Sequence, residues 1–162
     1  MTALAALILT GLLFAALIAL AMIDARHYIL PDRITLPLTA AGIVAAWILD
    51  LPIWLHALGG ALGYGALVLV EKLYRKARGK AGLGRGDAKL FAAGGAWCGA
   101  LALPAILLLS SLAALIYALV LKWVFRRTLT ADSLIAFGPF LAFGIALVWS
   151  LQRLGLSGPA GF

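Results

Sequence analysis

The feature that most constrains this chain is a series of apolar runs, each near the length that crosses a bilayer. They fall at about 3–23, 34–49, 52–70, 88–103, 105–124 and 134–152, against the roughly 20 residues that span the hydrocarbon core. Lipid offers no partner to backbone N–H and C=O groups, so runs of this length fold as helices that satisfy their own backbone. The composition agrees, with 65% hydrophobic residues, 12% charged and a mean hydropathy of +1.10. Soluble domains do not have this balance. The expected fold class is therefore all-α: a polytopic integral membrane protein whose six transmembrane helices form a single membrane-embedded domain over 1–162. The first run is read as a retained span, because no basic n-region precedes it and its length exceeds that of a signal-peptide core.

Net charge is +7. In a soluble chain this would point to nucleic acid. Here the basic residues cluster in alternate connections, and no nucleic-acid partner is expected. Arg26 and Arg33 fall in the first connection. Lys72, Arg75, Lys76, Arg78, Lys80, Arg85 and Lys89 fall in or beside the third, a basic stretch over 71–87. Lys122, Arg126 and Arg127 fall in the fifth, and Arg153 alone lies on the other side. The positive-inside rule then puts connections one, three and five in the cytoplasm and both termini outside. The short breaks at Asp50-Leu51-Pro52 and around Pro104 imply antiparallel neighbours. Membrane lipid is an expected partner of the basic stretch, whose cations sit at headgroup depth.

Glycines crowd the third and fourth runs. Gly59 with Gly63, and Gly95 with Gly99, have the four-residue spacing that lets helix backbones approach closely in lipid, so tight internal packing is expected, with a homo-oligomer face as the other use. Cys98 is the single cysteine; it forms no internal disulfide and supplies no multi-cysteine metal site. No metal and no cofactor is expected. Trp47, Trp54, Trp97, Trp123 and Trp149 lie mostly toward span ends, as interfacial tryptophans do. His56 falls on the outer side, far from the acidic residues discussed next.

Asp24 ends the first run and Asp87 precedes the fourth. With the alternation above, both lie at one membrane face and at similar depth. Carboxylates at the edge of hydrocarbon are candidates for function. Two of them close together ionise singly and share a proton, the state in which one acts as a base on water and the other as an acid toward a carbonyl. Gly84 and Gly86 would bend the backbone ahead of the helix and admit a substrate strand. Each residue also has a plainer use: Asp87 as a helix cap, Asp24 as a snorkelling charge beside Arg26, and Asp32, after Pro31, as a turn or cap for the second helix. Lys89 would pair with Asp87 or with a substrate carboxylate. A proton- or ion-coupled transport subunit also uses paired carboxylates, but here they sit at one edge with no polar path to the other face. A structural scaffold would need neither.

Three stretches together resemble the prepilin peptidases, the type IV leader peptidases. "IDARHYILPDRITLP" (23–37) is similar to their first aspartate motif. "GLGRGDAKLFAAGGAWCG" (82–99) is similar to their Gly-x-Gly-Asp motif with a lysine two residues on, and "IAFGPFLAFG" (135–144) to their last-helix signature. The resemblance implies an intramembrane aspartyl endopeptidase of the bacterial inner membrane. Such an enzyme removes the short basic leader of type IV prepilins or pseudopilins at the cytoplasmic face, after the leader glycine. It implies Asp24 and Asp87 as the catalytic pair, with Pro31, Asp32, Gly84, Gly86, Lys89, Gly138 and Pro139 as supporting motif positions. Longer family members begin with a domain carrying paired CxxC motifs and also methylate the new N-terminus. This chain starts at the first aspartate helix with a single cysteine, so the expectation is a peptidase core without zinc or N-methyltransferase activity.

Overall fold

The computed structural model describes residues 2–78, 84–123 and 136–155. Lys80, Gly82, Arg126, Arg127 and Ile135 lie outside the described residues. Within them the chain is all-α, with six α-helices: α1 (Thr2–His27), α2 (Asp32–Ile48), α3 (Ile53–Arg78), α4 (Arg85–Cys98), α5 (Leu103–Trp123) and α6 (Gly138–Arg153). A 3-10 turn, Ala100–Ala102, joins α4 to α5. Three stretches are long and apolar enough to cross a membrane: Ala3–His27, Ile53–Ala77 and Ala100–Trp123. α2, α4 and α6 are shorter, at 17, 14 and 16 residues. Large apolar side chains such as Leu7, Leu108, Leu115 and Ile116 stand more than half exposed on α1 and α5, a surface suited to lipid rather than water.

α4 is the centre. From Leu90 to Cys98 every residue is buried, as expected of a helix apolar on all sides. It packs on α3, α2 and α6, while α1 packs mainly on α6. The small residues decide how closely. A Cβ placed on Gly59 would lie 2.3 Å from the carbonyl oxygen of Gly95, and one on Gly95 would lie 2.2 Å from that of Gly59. A Cβ on Gly63 would lie 2.8 Å from the Phe91 carbonyl oxygen, and one on Gly42 2.7 Å from Trp97. The spaced glycines are thus consumed inside the chain, where backbone meets backbone. Gly99 differs: it ends α4 at φ +87, the left-handed geometry that favours glycine. The break expected at Pro104 therefore begins at Gly99, and Pro104 sits in the first turn of α5, where its missing N–H costs nothing.

Side-chain hydrogen bonds fix α4 to its neighbours. Trp97 Nε1 donates to the Leu38 carbonyl at 2.8 Å, and His56 Nδ1 to the Ala96 carbonyl at 2.9 Å. Because α4 stops at Cys98, the Ala96 carbonyl loses its place in a continuing helix, and His56 supplies a donor. The Trp97 and Trp149 rings meet edge to face at 5.4 Å. These two tryptophans are 1% exposed and belong to the core, which corrects the interfacial reading for them. Trp47, Trp54 and Trp123 stay exposed. Both ends of the basic stretch are helical: residues 71–78 continue α3, and 85–87 begin α4.

The close approach of α3 and α4 has a direct test. Gly59→Ala should destabilise the protein by about 2 kcal/mol, the cost typical of overpacking. Gly65→Ala, with nothing within 4 Å of its added Cβ, should be neutral or slightly stabilising. Thermal unfolding in detergent would read both.

Candidate active site

The carboxylate of Asp24 is set by the end of one helix and the start of another. Asp24 lies in the last turn of α1 and is 6% exposed. Its Oδ2 accepts the N–H of Gly138 at 2.9 Å. Gly138 is the first residue of α6, so this N–H is one of the donors that a helix start leaves without an intrahelical partner. A Cβ on Gly138 would come within 2.5 Å of Oδ2. Pro139 follows at a position whose N–H the helix does not use. The sequence "FGPF" thus has a local physical meaning: glycine admits the carboxylate and proline begins the helix. Asp24 faces α6 rather than Arg26.

Beyond α1 the chain turns sharply. Tyr28 N–H donates to the Asp24 carbonyl at 2.8 Å, and Tyr28 itself takes φ 55, a left-handed geometry that costs a non-glycine residue about 1 kcal/mol. The turn buries Leu30 against the first turn of α4, where a Cβ on Gly86 would fall 2.9 Å from Leu30 Cβ. Gly86 is therefore a packing requirement. Gly84 has φ −74, which any residue adopts, so bending is not its role. It is the N-cap residue of α4, and a Cβ there would stand 3.4 Å from Asp87 Oδ2. Asp87 occupies the first turn of α4 rather than the cap position, where the helix dipole favours a carboxylate.

Asp24 and Asp87, on separate helices, line one cleft of about 240 Å³ together with Tyr28, Leu30, Gly84, Gly86, Arg85 and Lys89. Lys89 Nζ pairs with Asp32 Oδ1, not with Asp87, and so bridges the first turns of α2 and α4. Asp32 is the first residue of α2, behind Pro31, the N-cap residue, and makes no capping bond in that place. Glu71, buried near the end of α3, lies 3.8 Å from Arg75 and 3.6 Å from Arg85, tying α3 to the start of α4. Sequence reasoning did not single out Tyr28, Leu30 or Arg85 as cleft residues. Tyr28 carried one usable signal, a place one helical turn after Asp24. No cluster of metal-ligating side chains occurs among the described residues.

Two carboxylates on two helix ends thus face one cleft in a helical fold that includes membrane-competent helices. The type IV leader peptidase family pattern matches residues 11–119, a stretch that holds both aspartates. The chain belongs to that family. It is 46% identical over 143 residues to the prepilin leader peptidase/N-methyltransferase of Escherichia coli (strain K12), covering 85% of this chain and 61% of that protein. Toward the protein of the same name from Xanthomonas campestris pv. campestris, identity is 42% over 127 residues, covering 78% and 44%. Toward that of Neisseria gonorrhoeae it is 41% over 146 residues, covering 88% and 46%. The chain spans about half the length of the curated relatives it matches. No solved structure matches.

The Asp24–Gly138 contact makes a sharp prediction. Gly138→Ala should push the Asp24 carboxylate from its place and, on the function proposed below, lower turnover about 10²-fold, the cost of an ångström-scale misplacement. Substrate cleavage by the purified variant would measure it, and wild-type turnover would contradict it.

Proposed function

We propose that this protein is an intramembrane aspartyl endopeptidase that removes the short basic leader of type IV prepilins or pseudopilins, cutting after the leader glycine. The observation that carries the reading is the shared cleft of Asp24 and Asp87. The relatives, prepilin leader peptidases by name, support the substrate class. An ion-transport subunit, the other class that uses paired carboxylates, finds no support among these relatives.

In this reading the dyad holds one proton. The ionised carboxylate takes a proton from a water, which attacks the scissile carbonyl carbon. The protonated partner donates to the carbonyl oxygen, and the tetrahedral intermediate collapses as a proton passes to the leaving amine. The acid–base work needs the two carboxylates held at a fixed separation. The Gly138 N–H orients one, and the first turn of α4, pinned by the Lys89–Asp32 and Arg85–Glu71 pairs, carries the other. Gly84 leaves one side of Asp87 without a side chain, where an extended substrate segment can lie.

The topology belongs to the same proposal. All six helices cross the bacterial inner membrane, the three shorter ones within the bundle. The ends of α1, α3 and α5 and the starts of α2, α4 and α6 face the cytoplasm, as the distribution of Lys and Arg favours. The cleft then opens at the cytoplasmic surface, where a basic leader arrives, and both termini lie outside.

The test is cleavage in detergent of a panel of prepilins by wild type, Asp24→Asn and Asp87→Asn, with leader loss followed by mass. Wild type should cut after the leader glycine, and each variant should be slower by about 10³-fold, the scale of acid–base catalysis. An Asn variant as fast as wild type would remove that aspartate from the mechanism.

A further inference from the structure

At the end of the bundle opposite the dyad, the start of α1, the end of α2 and the end of α6 enclose a groove of about 730 Å³. Its walls are apolar, with Ala6, Leu7, Phe14, Leu49 and Leu154 among them, and it opens outward where Leu7 and Leu154 are each 71% exposed. One cation stands on its lining, Arg153. Its guanidinium lies 4.4 Å over the Trp149 ring, an attractive geometry that limits its freedom. The indole is held in turn, since Trp149 Nε1 donates to Thr10 Oγ1 of α1 at 3.0 Å. No ion pair joins Arg153 to an acidic side chain among the described residues.

We propose that this groove binds an anionic phospholipid, one acyl chain lying along the apolar wall and the headgroup phosphate on Arg153. Charge complementarity selects the occupant. The groove offers hydrocarbon contact and a single pre-positioned guanidinium, whose planar donors suit a phosphate. A zwitterionic lipid would also bring an ammonium, and no carboxylate lines the groove to receive it. The other lysines and arginines belong to the opposite ends of the helices, so general attraction of anionic lipid by the basic stretch does not reach this site. The volume lies in the range of clefts that take small ligands. The proposal requires only that the chain sit in a bilayer, and is independent of the peptidase reading.

Native mass spectrometry of the full chain, released from nanodiscs of equal phosphatidylglycerol and phosphatidylethanolamine, tests it. Wild type should retain one phosphatidylglycerol in preference to phosphatidylethanolamine. Arg153→Gln should lower that retention about fivefold, the scale of one cation–headgroup contact. Arg153→Lys, which keeps the charge but loses the planar donors and the stacking, should retain an intermediate amount, and Arg75→Gln, at the other end, should leave it unchanged. Ala6→Trp, which fills the groove and keeps Arg153, should abolish retention and so gives a second reading if Arg153→Gln does not fold. Three results would overturn the proposal: equal retention of both lipids, retention unaffected by Arg153→Gln and Ala6→Trp, or retention that appears only after residues 156–162 are removed. The last would make the chain's own tail the occupant.

Discussion

The arrangement depends on one close contact, backbone against backbone, where α3 crosses α4 at Gly59 and Gly95. α4 has 14 residues, about 21 Å at 1.5 Å per residue, which on its own is short of the roughly 30 Å hydrocarbon core. It also carries a carboxylate at its start and a run of small residues with little side-chain surface to offer lipid. Such a helix is stable only if neighbours enclose it. With no side chain on either glycine, α3 comes near enough to do so, and α2 follows at Gly42 against Trp97. Every residue from Leu90 onward is then sealed in protein, and the aspartate end of α4 is held at a fixed depth.

The site is built from the weak points of helices. A helix start has N–H groups with no intrahelical partner, and α6 gives one of them to Asp24. A helix end needs a residue that can leave the spiral, and α1 leaves through Tyr28 at a left-handed φ, which turns Leu30 onto Gly86. α2 and α4 both begin beside the cleft and are joined there by Lys89 and Asp32. The same ends that position the carboxylates are therefore held by one another, with the turn from Tyr28 to Leu30 completing the cleft between them. This suits a reaction that needs two acidic groups kept at one separation.

Much of this was legible in the sequence, for identifiable reasons. Apolar length and glycine crowding report directly on helix existence and close packing, so the helices and the use of Gly59, Gly63 and Gly95 could be expected. The pairing of Asp24 with Asp87 at one end of the bundle followed from counting helix directions. Other features were not legible. Trp97 and Trp149 look like interfacial tryptophans by position, yet the short α4 draws both into the core. Lys89 is two residues from Asp87, but on a helix that spacing points side chains apart, and its partner is Asp32, 57 residues away in sequence. His56 carries no motif; its bond to Ala96 exists because α4 stops at Cys98.

By itself the sequence determined that the chain is helical and suited to a bilayer, which ends of its helices carry charge, and that two carboxylates share one of those ends. These follow from hydropathy, length and order along the chain, which need no contact to be known. Only the tertiary structure decided what each carboxylate touches, that Gly138 is the donor to Asp24, that Lys89 belongs to Asp32, and that Arg153 stands over Trp149 beside an apolar groove. Those are distances between residues far apart in the chain. They depend on how far two glycine-bearing helices can approach, and a linear pattern permits that approach without specifying its partners.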